Sequence, residues 1–223
     1  MIKAIFFKEW IKTRWCFFIA LVVTTGMAGY SILKINKLVS LKGAGHLWEV
    51  AVTRDALFID MLEYVPLIVG IVLAVVQFAP EMQRKCLKLT LHLPCSQKRM
   101  IFSMLAAGLT LLLTCFIVNF GVLYACLPAI FPSQLVWRFT LSAFPWYLAG
   151  VASYLMASWI ILEPTWKMRI VDITISIFVI SIYFLAPAPE AYNSFLPYLT
   201  IYTFMLIVLS WISVSRFKSG KQD

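Results

Sequence analysis

Groups able to do chemistry are scarce in this chain. Its 223 residues include ten acidic side chains and two histidines, and only 13% are charged. His46 and His92 stand far apart and no His-Glu-x-x-His occurs, so neither anchors a zinc site. The Gly-x-Ser-x-Gly turn that carries a hydrolase nucleophile is missing. So is Gly-x-x-x-x-Gly-Lys-Ser/Thr, which leaves the chain no loop of its own to cradle ATP phosphates. Five cysteines (Cys16, Cys86, Cys95, Cys115, Cys126) include no Cys-x-x-Cys and build no disulfide framework. They are expected to act as small buried hydrophobes. Internal repeats and low-complexity tracts are also lacking.

Apolar residues are what the chain has instead: 62% of it is hydrophobic and 15% aromatic, with a mean hydropathy of +0.89. They fall in six runs, approximately 16–33, 57–79, 100–127, 141–162, 169–186 and 195–214. A helix needs about 20 mostly apolar residues to cross the hydrocarbon of a bilayer. Backbone polar groups in lipid must be satisfied within their own segment, so each run is expected to be helical. The first run follows a basic start. It is too long for the core of a signal peptide, and Met27-Ala28-Gly29-Tyr30 is a poor cleavage site, so it is expected to be retained. The joints leave no room for a separate soluble domain. The expected fold is an all-α integral membrane protein with six transmembrane helices spanning 16–215.

The +9 net charge follows topology rather than nucleic acid. With the amino terminus inside, fourteen basic residues face the cytoplasm, from Lys3, Lys8, Lys12 and Arg14 to Arg216, Lys218 and Lys221. Five (Lys34, Lys37, Lys42, Arg54, Arg138) face out. The positive-inside rule selects this arrangement, a multi-pass cell-membrane protein with both termini cytoplasmic and basic flanks against anionic headgroups. Residues 1–15, MIKAIFFKEWIKTRW, carry aromatics on one side and Lys8 and Lys12 on another. They read as an N-terminal amphipathic helix lying on the cytoplasmic leaflet, lysines toward phosphates. Residues 216–223 read as a basic tail.

Ionisable residues near the spans are few. Asp60 and Glu63, three apart at the start of the second run, are candidates for a polar outer mouth or cation site; an acidic first turn favoured by the helix dipole is the simpler account of them. Asp172, three after Arg169, reads as half of an intrahelical ion pair, and Glu163-Pro164 as the end of the fourth span. Nothing charged stands mid-membrane, which argues against a proton relay or voltage sensor. Small residues four apart (Ala20, Thr24, Ala28; Ala149, Ser153, Ala157) mark faces where helices can approach closely. Between the last two spans, Ala-Pro-Ala-Pro-Glu must break the helix and turn back.

The joint after the second span is the most specific stretch: FAPEMQRKCLKLTLHLPCSQKR, from Phe78 to Arg99. Alternation of Leu87, Leu89, Leu91 and Leu93 with polar residues matches a strand, but a lone strand among helices has no ladder partner. The same leucines pair at i, i+4, which supports a helix. This joint resembles the permease subunits of type-2 ABC transporters, where the second span ends in a glutamate and a basic, leucine-rich segment leads through Leu-Pro-x-Ser into the third. Here those positions are Glu81, then Arg84, Lys85, Lys88, Leu89 and His92, then Pro94 and Ser96; Lys85-Cys86 replaces the family's frequent Gly-Thr.

The resemblance implies a cytoplasmic coupling helix between helices 2 and 3 that docks into a separate ATPase subunit, with ATP and magnesium held there and no cofactor bound by this chain. It also implies pairing with a second permease copy or a homologous permease. Leucines would give apolar contact, and Arg84, Lys85 and Lys88 charge pairing. Pro94 would stop the helix, and Ser96 would cap the next. The function expected is ATP-driven export of a hydrophobic or amphipathic substrate such as a peptide, antibiotic or lipid, with no catalytic residue in this chain. A non-transporting six-span scaffold or assembly factor is the alternative.

Overall fold

The computed structural model describes residues 2–53, 55, 58–83, 96–186 and 188–218. Among these the chain is helical throughout, without strands. Eight α-helices follow in order: α1 (Ile2–Lys42), α2 (Ala44–Thr53), α3 (Val65–Gln83), α4 (Gln97–Cys126), α5 (Ser133–Leu162), α6 (Trp166–Ser181), α7 (Leu196–Met205) and α8 (Ile207–Lys218). Short 3-10 turns stand at Asp60–Leu62, Leu127–Ala129 and Ile182–Phe184. Five helices are long and apolar enough to cross a membrane: those spanning Lys3–Lys42, Asp60–Gln83, Lys98–Ala129, Ser133–Leu162 and Leu196–Arg216. The fifth expected run, 169–186, forms the shorter α6 and its 3-10 turn.

Helix α5 is the hub. It is the most buried helix and packs against α3, α4, α6 and α8. Its tightest neighbour is α3, because Gly70 and Gly150 face each other there: a Cβ on Gly70 would lie 2.2 Å from the Gly150 carbonyl oxygen. Ser153 Oγ uses that closeness to donate to the Leu67 carbonyl at 2.9 Å. Helix α1 runs parallel to α4, in a register set by Asn119 Nδ2 donating to Thr24 O at 2.6 Å and by Cys115 Sγ beside Phe17 O. Ala20, Thr24 and Ala28 are buried on this face, as their spacing predicts.

Residues 2–15 do not form a helix of their own. They are the opening turns of one unbroken 41-residue helix, about 62 Å long at helical rise. It ends at Gly43, whose φ of +78° suits a residue without Cβ, and the chain re-enters helix as α2. Helix α2 sits over the far end of α5, with Trp48 Nε1 donating to Ile130 O at 3.2 Å and Arg138 paired with Asp55. The last helices also close on α5. Arg169 Nη2 reaches the Glu163 carbonyl, Glu190 N reaches Ser142 Oγ, and Ser213 Oγ reaches Glu163 Oε2. Helix α6 therefore leaves one end of α5 and arrives near Ser142, and α7–α8 returns. Residues 188–194 make the expected reversal in successive turns, secured by Tyr192 OH donating to Ile182 O at 2.7 Å.

Candidate functional site

The side chains that matter sit at the basic end of the bundle, where α3 finishes. Pro80 lacks an N–H and so leaves the Val76 carbonyl without its helical donor one turn before Glu81. Glu81 itself is 3% exposed and turned into the bundle. Lys8 Nζ lies 2.8 Å and Lys12 Nζ 2.9 Å from its Oε1. Glu9, 1% exposed, completes the group, with Lys12 Nζ 2.8 Å from its Oε2 and Lys8 Nζ 4.0 Å from its Oε1. Two ammonium groups thus face two carboxylates, and the knot is neutral as a whole. Glu9 takes no hydrogen bond of good geometry despite those short contacts, and Glu81 Oε2 has no partner either. Opposite charge, together with a hydrogen bond from Lys12 Nζ to Glu81 Oε1 at 2.9 Å, holds α1 to the end of α3.

Beneath this knot lies a polar layer. Gln77, one turn before Glu81 on the same face, donates through Nε2 to Met104 O at 2.8 Å. Its Oε1 accepts from the fully buried Tyr154 hydroxyl at 2.7 Å. Gly108 makes room, since a Cβ there would come within 2.0 Å of that hydroxyl. Helices α1, α3, α4 and α5 are therefore tied together within two turns of where the joint leaves the bundle.

A second acidic group occupies the same end of the other half. Glu163, fully buried, accepts from Ser213 Oγ and from Thr165 Oγ1 at 3.0 Å, with Arg216 Nη1 at 3.6 Å. It does more than close a helix: it joins the ends of α5 and α8. Arg169 bonds the Glu163 carbonyl at 2.7 Å and stacks over Trp166 rather than pairing with Asp172. The expected Arg169–Asp172 ion pair is thus replaced, because the Arg169 fork turns back toward the open carbonyl at the end of α5. Asp172 is 2% exposed, and its Oδ2 has no hydrogen-bond partner among the described residues. Arg216 lies in the last turns of helix α8.

Of the residues singled out in the joint, Arg84, Lys85, Lys88, Leu89, His92 and Pro94 lie outside the described residues. Ser96 stands at the N-cap of α4 but contributes no side-chain cap; its carbonyl accepts from Met100 N at 3.2 Å. Lys8 and Lys12 were expected to reach for phosphates, and they reach inward to Glu81 instead, because two buried carboxylates are stronger partners than solvated headgroups. Glu9 has one mark in the sequence: it is the only acidic residue before Glu49. Asp60 and Glu63 lie in the turns before α3, not within it. With Asp55 and Glu190 they line a cavity of about 230 Å³ at the opposite end, roofed by Trp146 and Tyr192. No group of three or more metal-ligating side chains occurs among the described residues.

The arrangement defines a helical protein whose apolar helices suit a membrane, with charge concentrated in knots at one end and an acidic cavity at the other. Comparison with known proteins adds no kinship: no family model, no curated protein and no solved structure matches this chain.

Proposed function

We propose that this chain is the transmembrane permease subunit of an ATP-driven ABC exporter in the cytoplasmic membrane, working with a separate ATPase subunit and a second permease. The observation that carries the reading is the anchoring of Glu81. This glutamate introduces the segment that resembles a coupling joint, and Lys8 and Lys12 clamp it to α1. A partner that pushes on residues 84–95 would pull on α1 and α3 together. Such rigid transmission between sites is what coupling requires.

Six passes are part of the proposal. From Ser142 to Glu163, α5 rises about 32 Å, a full hydrocarbon thickness. Helix α6 starts beside Glu163, and its following loop meets Ser142. Helices α7 and α8 end back beside Glu163. That depth supports counting α6 with its 3-10 turn as a crossing, which leaves both termini on the basic, cytoplasmic side. The cargo is hydrophobic or amphipathic, in keeping with aromatic spans nearly free of charge.

Co-purification tests the reading. A tagged chain should bring down an ATPase subunit, and reversing the charge of Arg84, Lys85 and Lys88 together should abolish the association. Recovery without any ATPase, or indifference to the triple reversal, overturns the proposal and favours a scaffold. An impermeant thiol reagent that labels Cys86 or Cys95 on intact cells would also overturn it.

A further inference from the structure

We propose that the groove between the first turns of α1 and the middle of α4 binds one acyl chain of an anionic phospholipid, whose headgroup rests on Lys3. The groove encloses about 580 Å³ and is lined by Lys3, Phe6, Phe7, Trp10, Ala107, Thr110 and Leu111. That volume lies within the range of small-molecule sites. Its walls are hydrocarbon and aromatic. The only hydroxyl, on Thr110, is already committed to the Ala107 carbonyl at 2.8 Å, so it has no proton to offer a ligand.

Polarity runs along the groove. Helices α1 and α4 are parallel, with Phe17 level with Cys115, so the Lys3 end is the basic end of the bundle and Leu111 lies deeper. Lys3 stands seven residues before Trp10, about 10 Å along the axis. It makes no ion pair among the described residues, whereas Lys8 and Lys12 spend their charge on Glu9 and Glu81. No acidic residue stands in the first turn of α1. An ammonium at one end and a dry channel leading inward match an amphiphile with an anionic head and a hydrocarbon tail. Basic side chains beside such a surface favour anionic over zwitterionic lipid. Occupancy of the groove does not depend on whether the chain transports anything.

The test uses the full-length chain in nanodiscs containing phosphatidylglycerol or phosphatidylcholine, each with a photoactivatable diazirine on one acyl chain. Crosslinks are mapped by peptide mass spectrometry. Phosphatidylglycerol should label the peptides around Phe7 and Ala107 about fivefold more than the exposed α6 face at Ile177, and phosphatidylcholine should show no such excess. Thr110→Trp fills the groove from an exposed position and should remove the excess. Lys3→Gln, at an exposed position, should equalise the two lipids while leaving the melting temperature unchanged. Labelling no stronger than at Ile177, equal labelling by both lipids, or a Lys3→Gln chain that still prefers phosphatidylglycerol overturns the proposal.

Discussion

The two acidic knots at the basic end solve the same problem by different means. Glu9 and Glu81 meet two lysines from α1: Lys12 Nζ donates a hydrogen bond to Glu81 Oε1, and Glu9 is held by opposite charge alone. Glu163 is held by hydroxyls and one more distant guanidinium, and Asp172 beside it keeps a partnerless oxygen. The first knot joins residues 69 and more apart in sequence and lies next to the joint through which a partner would act. The second closes the last three helices on the hub. Ammonium–carboxylate contacts of 2.8–2.9 Å depend more on charge than on angle, so they survive small changes of geometry without parting. A hydroxyl-bonded carboxylate does not, because each bond fixes an angle. The first knot leans more on charge, and the second more on hydroxyl bonds.

Removing the lysines breaks that contrast most severely. Lys8→Met with Lys12→Met leaves two buried carboxylates unpaired, and stripping the partners from a buried charge costs about 3–5 kcal/mol. Thermal unfolding in nanodiscs should show a large loss of stability. Adding Glu9→Gln and Glu81→Gln should recover most of it, since a neutral knot has no charge to strand. If the quadruple variant stays as unstable as the double, the knot acts through shape and not charge.

Glu163→Ala comes next. It orphans the buried hydroxyl of Ser213, worth about 1–3 kcal/mol when left without an acceptor, and frees the partly exposed Thr165 hydroxyl, which water can satisfy. Partial relaxation of α8 should hold the loss below that of the lysine pair. Limited proteolysis should show the damage confined to residues after 163, whereas the lysine variant should loosen α1. Equal loosening of both halves would erase the distinction between them.

Part of this was legible in the chain and part was not. The apolar runs located α1, α3, α4, α5 and α7–α8 because a membrane-length helix advertises itself through composition alone. The inward aim of Lys8 and Lys12 had no such sign. Read locally, they form the polar side of an amphipathic helix; only Glu81, far along the chain, turns them inward. Periodicity reports which face is apolar, not what the polar face meets. The same limit hid the Glu163–Ser213 bond, which links two spans, and made Asp172 look like the partner of Arg169 three residues away. Proximity on one helix was a sound expectation. A nearby helix end with an open carbonyl competed for Arg169 and won.

Tyr154→Phe probes the layer beneath the lysine knot. The hydroxyl donates to Gln77 Oε1 at 2.7 Å, and its removal should cost about 1 kcal/mol, the net worth of an ordinary hydrogen bond. Gln77 keeps its bond to Met104 O, so the side chain should stay in place. A loss matching that of the lysine pair would mean that the knot and the layer form one unit, and a double-mutant cycle with Lys12→Met would measure the coupling.

The smallest effect is expected at Asp172. Most buried carboxylates are costly to replace because something depends on them, as Ser213 depends on Glu163. Asp172 Oδ2 accepts nothing among the described residues, and Ser176 bonds the Asp172 backbone carbonyl at 2.7 Å, not its carboxylate. Asp172→Asn keeps the shape and removes a charge that lies within electrostatic reach of Glu163. Its effect on the melting temperature should be close to zero or slightly stabilising, because relief of repulsion offsets any lost attraction to Arg216. A loss of about 2 kcal/mol or more would mean that the carboxylate serves a partner. The second half would then be charge-held like the first, and the contrast between the two knots would fail.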